Sequence, residues 1–121
     1  MTLEHAALYV SDLAVAREFF VGYLGAEADA GYHNPKTGFR SHFLSFDGGA
    51  RLELMRKPDL LPCPGYGHVA FRLGSSAAVD ALTERLRGDG YRIVSGPRVT
   101  GDGYYESCIE VFDRYLIELT I

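Results

Sequence analysis

A histidine opens an apolar run at His5 and again at His68, and a glutamate sits between large aliphatic residues at Glu53 and again at Glu118. A shift of 63 residues superposes His5-Ala6-Ala7-Leu8-Tyr9 on His68-Val69-Ala70-Phe71-Arg72, and a shift of 65 superposes Leu52-Glu53-Leu54 on Ile117-Glu118-Leu119. Such self-similarity constrains architecture before any single residue is interpreted, because two copies of one supersecondary unit place their equivalent residues alike. Halves of about sixty residues are marginal alone, so each is expected to depend on the other or on a second chain.

Within each half the order of elements repeats. Residues 3–10 alternate as a strand; Ser11 or Asp12 offers an N-cap. Leu13, Ala16, Phe19, Phe20, Tyr23 and Leu24 then recur at helical spacing until Gly25. Strands are expected at 27–33, 39–47 and 51–57, separated by Asn34-Pro35-Lys36-Thr37-Gly38 and by Asp47-Gly48-Gly49, both with turn chemistry. The second half gives a strand at 66–73, a helix at 76–87 ending at Gly88, and strands at 91–94, 104–111 and 115–120. Segment 58–65 carries three prolines and no periodicity, which marks it as a linker between modules 1–57 and 66–121. The fold class expected for residues 1–121 is therefore α+β: two βαβββ modules, each with a cup-like mixed sheet and its helix on the outer face.

Composition narrows the partners. A net charge of −4, with lysine and arginine scattered, gives no basic stripe for nucleic acid or an anionic membrane. No apolar run approaches the roughly 20 residues of a membrane helix. Two cysteines, Cys63 and Cys108, form no disulfide framework, and no secretion signal precedes the first strand, so a reducing cytoplasm is the expected location. There is no phosphate-binding loop, dinucleotide fingerprint or nucleophile elbow.

Strand alternation points Glu53 away from Leu52 and Leu54, and Glu118 away from Ile117 and Leu119. If the aliphatic residues face the helix, both carboxylates face the cup, where a charge needs a partner. Together His5, Glu53, His68 and Glu118 form an expected four-ligand site for one divalent ion. Two imidazoles and two carboxylates suit Zn, Ni, Co, Fe or Mn without choosing among them. A six-coordinate ion would keep two positions for substrate oxygens, and a glutamate beside it is a base. Tyr9, Tyr104 and Tyr105 are expected at cup positions and Arg98 at an anionic substrate group. The loop Tyr32-His33-Asn34-Pro35 lies near strand ends, where substrate contacts are common. Cys63 reads as an inert linker thiol, and His42 as a strand side chain without chemistry.

These residues resemble the vicinal oxygen chelate superfamily, which includes glyoxalase I, fosfomycin-resistance thiol transferases, methylmalonyl-CoA epimerase, extradiol dioxygenases and bleomycin-resistance proteins. The stretches Tyr-His-Asn-Pro-Lys-Thr-Gly-Phe at 32–39, Ala-Arg-Leu-Glu-Leu-Met at 50–55 and Gly-Pro-Arg-Val-Thr-Gly-Asp-Gly-Tyr-Tyr-Glu-Ser at 96–107 are similar to small bacterial glyoxalase-like proteins. The resemblance implies a metal-dependent lyase or isomerase acting on a small substrate chelated through adjacent oxygens. Glu118 would take the proton next to the carbonyl, with Glu53 as its counterpart. It also implies a homodimer whose metal sites are shared between subunits. The chain departs from glyoxalase I at Tyr9 and Lys57, where that pattern has the glutathione-contacting arginine and asparagine. The alternative is a non-catalytic protein of bleomycin-resistance type that sequesters an aromatic or drug-like ligand, motivated by eight tyrosines and seven phenylalanines.

Overall fold

The computed structural model describes residues 1–121, with two helices and nine strands. By its contacts the chain divides into two compact modules, Met1–Cys63 and Pro64–Ile121. Residues 57–67 contain neither helix nor strand.

The first module runs β1 (His5–Tyr9), α1 (Leu13–Leu24), β2 (Glu27–Ala28), β3 (Tyr32–His33), β4 (Arg40–Ser45) and β5 (Arg51–Arg56). Its sheet has the order β1-β5-β4-β2, with β3 also paired to β4. The first and last strands lie parallel, Ala7 opposite Glu53, and the other pairs are antiparallel. α1 begins where the Asp12 carboxylate accepts from the Val15 N–H at 3.1 Å and ends at Gly25. Its buried face, Ala16, Phe19 and Phe20, belongs with Leu44, Leu52 and Leu54 to the core of this module.

The second module repeats the plan with β6 (His68–Arg72), α2 (Ser76–Gly88), β7 (Arg92–Val99), β8 (Tyr105–Glu110) and β9 (Leu116–Thr120). The sheet order is β6-β9-β8-β7, again with the first and last strands parallel. Ser75 caps α2 through the Ala78 N–H at 3.2 Å. The core comprises Val79, Leu86, Ile109, Ile117 and Leu119, together with one buried polar contact. There the Thr83 hydroxyl donates to the Val79 carbonyl and meets the Ser107 hydroxyl, both at 2.6 Å. Thr83→Val should keep the shape and strip Ser107 of this partner, costing about 1–3 kcal/mol in urea unfolding. A Thr83→Val/Ser107→Ala double variant should lose less than the two singles added together.

Three details differ from the expected elements, and one turn between expected strands has unusual backbone angles. Segment 27–33 is two short strands, because the Asp29 carboxylate accepts from the Gly31 and Phe43 N–H groups and folds Asp29–Gly31 into a turn. The strand expected at 91–94 continues to Val99 through Gly96-Pro97. Two register shifts against β8 absorb those residues. Gly96 has φ 82°, and a Cβ there would lie 2.3 Å from the Glu106 carbonyl oxygen, so the close approach requires glycine. Helix α2 runs through Gly88 and reverses at Gly90, not at Gly88 itself. Before β9, Asp113 and Arg114 take left-handed backbone angles (φ 54° and 63°) in the turn Phe112–Arg114.

Candidate metal-binding and catalytic site

In each module the helix covers one face of the sheet and leaves the ligand face open. In the first module Leu52 and Leu54 are buried on the helix side, while His5, Ala7 and Tyr9 share the opposite face with Arg51, Glu53 and Met55. The second module matches it: Ile117 and Leu119 point inward, and His68, Ala70 and Glu118 point outward. His5 Nε2 lies 3.7 Å from the Glu53 carboxylate, and His68 Nε2 lies 3.2 Å from that of Glu118. Both glutamate side chains are only 15% exposed. The structure thus brings together the members of each expected His/Glu pair.

The spacing of one pair matches what chelation of a single ion requires. Bonds of roughly 2.0–2.2 Å from an imidazole nitrogen and a carboxylate oxygen to one ion, at octahedral or tetrahedral angles, leave nitrogen and oxygen about 2.9–3.4 Å apart. The His68/Glu118 pair lies inside that interval and the His5/Glu53 pair slightly outside it. Neither module by itself gathers three or more His, Cys, Asp or Glu side chains around a point.

The two halves are supported differently. His5 Nδ1 contacts the Glu4 carboxylate, which also pairs with Arg51. The hydrogen bond from His5, and then that from Arg51, holds the Glu4 carboxyl below the usual carboxylate range. Arg51 stacks 4.2 Å above the Phe43 ring, and His5 meets the same ring edge-on at 5.3 Å. A carboxylate on Nδ1 leaves Nε2, the nitrogen that faces Glu53, as the ring atom with a free lone pair. His68 follows Gly67 and has no counterpart of Glu4.

The sequence motif of the "Glyoxalase/Bleomycin resistance protein/Dioxygenase superfamily" matches residues 2–119. The chain belongs to this superfamily. Among its relatives, an uncharacterised protein of Bacillus subtilis (strain 168), YqjT, is 32% identical over 97% of this chain and 96% of its own length. A solved structure described as a possible glyoxalase from Bacillus cereus superposes with a TM-score of 0.76 at 26% identity, covering 100% of this chain and 99% of that one. A point mutant of the genomically encoded fosfomycin resistance protein FosX of Listeria monocytogenes, solved with Mn(II) and 1S,2S-dihydroxypropylphosphonic acid, superposes with a TM-score of 0.80 at 27% identity, covering 98% and 90%. The α+β fold of two modules is therefore that of the superfamily.

On this superfamily frame the chain adds residues that strand alternation alone did not single out. Cys108 lies opposite Glu118 in the β8/β9 register, and Glu106 lies two residues before it on the same face. Burial first, and then a hydrogen bond with Glu106, pushes the Glu118 carboxyl above the usual value of 4.5, against the opposing pull of His68. Burial, reinforced by the charges of Glu118 and Glu106, likewise pushes the Cys108 thiol up. Arg98 lies 3.8 Å from Glu106. The alternation around Ile109 places Glu106 and Cys108 together; only the cross-strand register reveals Glu118 beside them.

Tyr9 lies on the open face, opposite Met55. Tyr104 is exposed at the turn before β8. Tyr105 is turned the other way: its hydroxyl donates to Asp80 on α2, which raises its pKa, so the expected cup position is corrected to the helix side. Cys63 is exposed in the irregular segment.

The raised carboxyl of Glu118 carries a stability consequence in metal-free protein. Native protein holds this proton more tightly than the unfolded chain does. The stabilisation is complete below 4.5 and is lost as pH rises through the raised native value, so at neutral pH the ionised group opposes folding. In chelator-treated protein, Glu118→Gln should therefore raise Tm at pH 7, with the gain shrinking as pH falls toward 4.5. An equal gain at every pH would remove ionisation as the cause.

Proposed function

We propose that this protein is a divalent-metal-dependent lyase or isomerase of glyoxalase type, acting on a small substrate that presents two adjacent oxygens. The observation that carries this reading is the duplicated His/Glu pair on the open sheet faces, with nitrogen–oxygen separations of 3.7 and 3.2 Å. His5, Glu53, His68 and Glu118 would hold the ion, and the Mn(II) bound by FosX supports a divalent species. When bound, the ion supplies Lewis acidity for the substrate oxygens.

The chain's own groups then handle the proton. Glu118, largely buried and raised in pKa, accepts a proton from the carbon next to the carbonyl and returns it to the neighbouring carbon. Glu53 is its counterpart in the other half. No oxidant is consumed. Tyr9 and Arg98 flank the ligand faces as substrate contacts, and Tyr104 edges the second. This reading includes a homodimer with ligands drawn from both subunits.

The test begins with elemental analysis of protein purified without an affinity metal and then exposed to trace Zn, Ni, Co, Fe and Mn. Near-stoichiometric uptake is expected, followed by solvent deuterium entering α-hydroxycarbonyl and 2-oxoaldehyde-thiol adducts in the native protein but not in Glu118→Gln. No uptake under replete conditions would refute the metalloenzyme.

A second reading is a ligand-sequestering protein. It is favoured by the apolar patch of Tyr9, Phe43 and Met55, which shares the open face with Glu53. Tight binding of an aromatic ligand by metal-free protein would establish it. Strict metal dependence of that binding would exclude it.

A further inference from the structure

The first module also contains a recess that neither His5 nor Glu53 lines, with a volume of about 930 Å³. It lies between the start of α1, the Asp29–His33 segment and the adjacent ends of β4 and β5, and Arg17, Arg40 and Arg56 all reach it. Arg40 and Arg56 are direct partners in the β4/β5 register, and both fall on the helix side with the buried Leu54. Like charges directly opposite on a sheet repel; both side chains are exposed, so water screens them, and an anion between them would relieve the repulsion further.

Three carboxylates, Asp12, Glu18 and Asp29, line the recess as well, and hydrogen bonds hold two of them in place with their charge intact. Asp12 caps α1 through the Val15 N–H. Asp29 accepts from the Gly31 and Phe43 backbone and faces His42. Glu18 is the one lining carboxylate without such an engagement. Arg56, which also lines the recess, donates from Nε to the Ser11 carbonyl at 2.9 Å, which fixes its stem. Arg17 and Arg40 form no ion pair.

The imidazole of His42 is fixed as well. Its Nδ1 lies 3.3 Å from both the Asp29 carbonyl and carboxylate oxygens, two acceptors, so Nδ1 carries the proton. The ring packs against Gly31 (φ 86°), where a Cβ would come within 2.7 Å of it. Tyr32 and His33 complete an aromatic side.

We propose that this recess binds a phosphoryl group, either as free phosphate or as the head of a small phosphate ester, at a site separate from the His/Glu pairs. Guanidinium forks match phosphate oxygens in bidentate geometry, and a dianion resolves the Arg40/Arg56 repulsion. Tyr32 and His33 offer surface for the organic part of an ester.

The full chain, kept metal-free with a chelator, is titrated at fixed ionic strength with inorganic phosphate, glycerol 3-phosphate and acetate while amide NMR shifts are followed. Saturable shifts at residues 11–17, 30–33 and 40–42 are expected, with acetate weakest. Affinity should fall about tenfold in Arg40→Gln and in Arg17→Gln, each with an otherwise native spectrum. Tighter binding of the ester identifies an ester as occupant, and equal binding identifies phosphate itself; both uphold the site. Linear shifts without saturation, shifts centred on His5 and Glu53, or affinities unchanged in both variants would overturn it. Because the metal is absent throughout, failure here leaves the metalloenzyme reading untouched.

Discussion

His5→Ala and His68→Ala proteins are each expected to bind a divalent ion on the order of 100-fold more weakly than the native chain, or worse, while keeping native circular dichroism. Losing even an outer partner of a ligating histidine costs roughly 10–100-fold, and losing the ligand costs more. The first module allows that comparison within one site: Glu4→Gln removes the carboxylate on His5 Nδ1 and should fall in the 10–100-fold interval. Competition with a fluorescent chelator measures all three. Mixing the two histidine variants adds an assembly test. If a site takes one pair from each of two chains, a mixed dimer carries one intact donor set and one doubly depleted set, so a 1:1 mixture in which about half the dimers are mixed regains about a quarter of the metal. If both pairs come from one chain, nothing returns. Unchanged affinity in both single variants would end the four-ligand proposal.

Phe20→Ala should be the most damaging single change to the first module. The ring is fully buried and meets Phe19 edge-on at 5.4 Å and Phe46 at 6.4 Å. Truncation to alanine removes the transfer energy of the ring and leaves a cavity, together about 3–5 kcal/mol. Domains of this size hold about 5–15 kcal/mol in all, so at least about a fifth of the stability goes. Urea unfolding should show a lower midpoint at constant slope. A loss under about 1 kcal/mol would mean that the surrounding core collapses into the space.

Much of this was legible in the chain because the physics involved is local. Asp12 caps a helix three residues on, and Gly25 ends it, as spacing alone implies. The alternation around Leu52 and Leu54, and around Ile117 and Leu119, correctly turns Glu53 and Glu118 from the helix. The rest depended on partners distant in sequence. Asp29 breaks a strand by reaching the Phe43 N–H. Gly96-Pro97 looks like a strand end, yet the strand continues because β8 tolerates two register shifts. Tyr105, against the cup position expected for it, follows the buried Ser107 and Ile109 to the helix side, where Asp80 takes its hydroxyl. Arg40 and Arg56 appear as ordinary surface charges until pairing sets them face to face.

The parallel pairing of first and last strands has a consequence for synthesis. His5 leaves the ribosome early, but Glu53 lies on the strand that completes its sheet, and His68 and Glu118 stand in the same relation. A partly made module therefore offers no chelating pair, and closing so long a loop comes late among folding events. Metal capture would then act as a completion signal, available only to a chain whose modules have both finished folding.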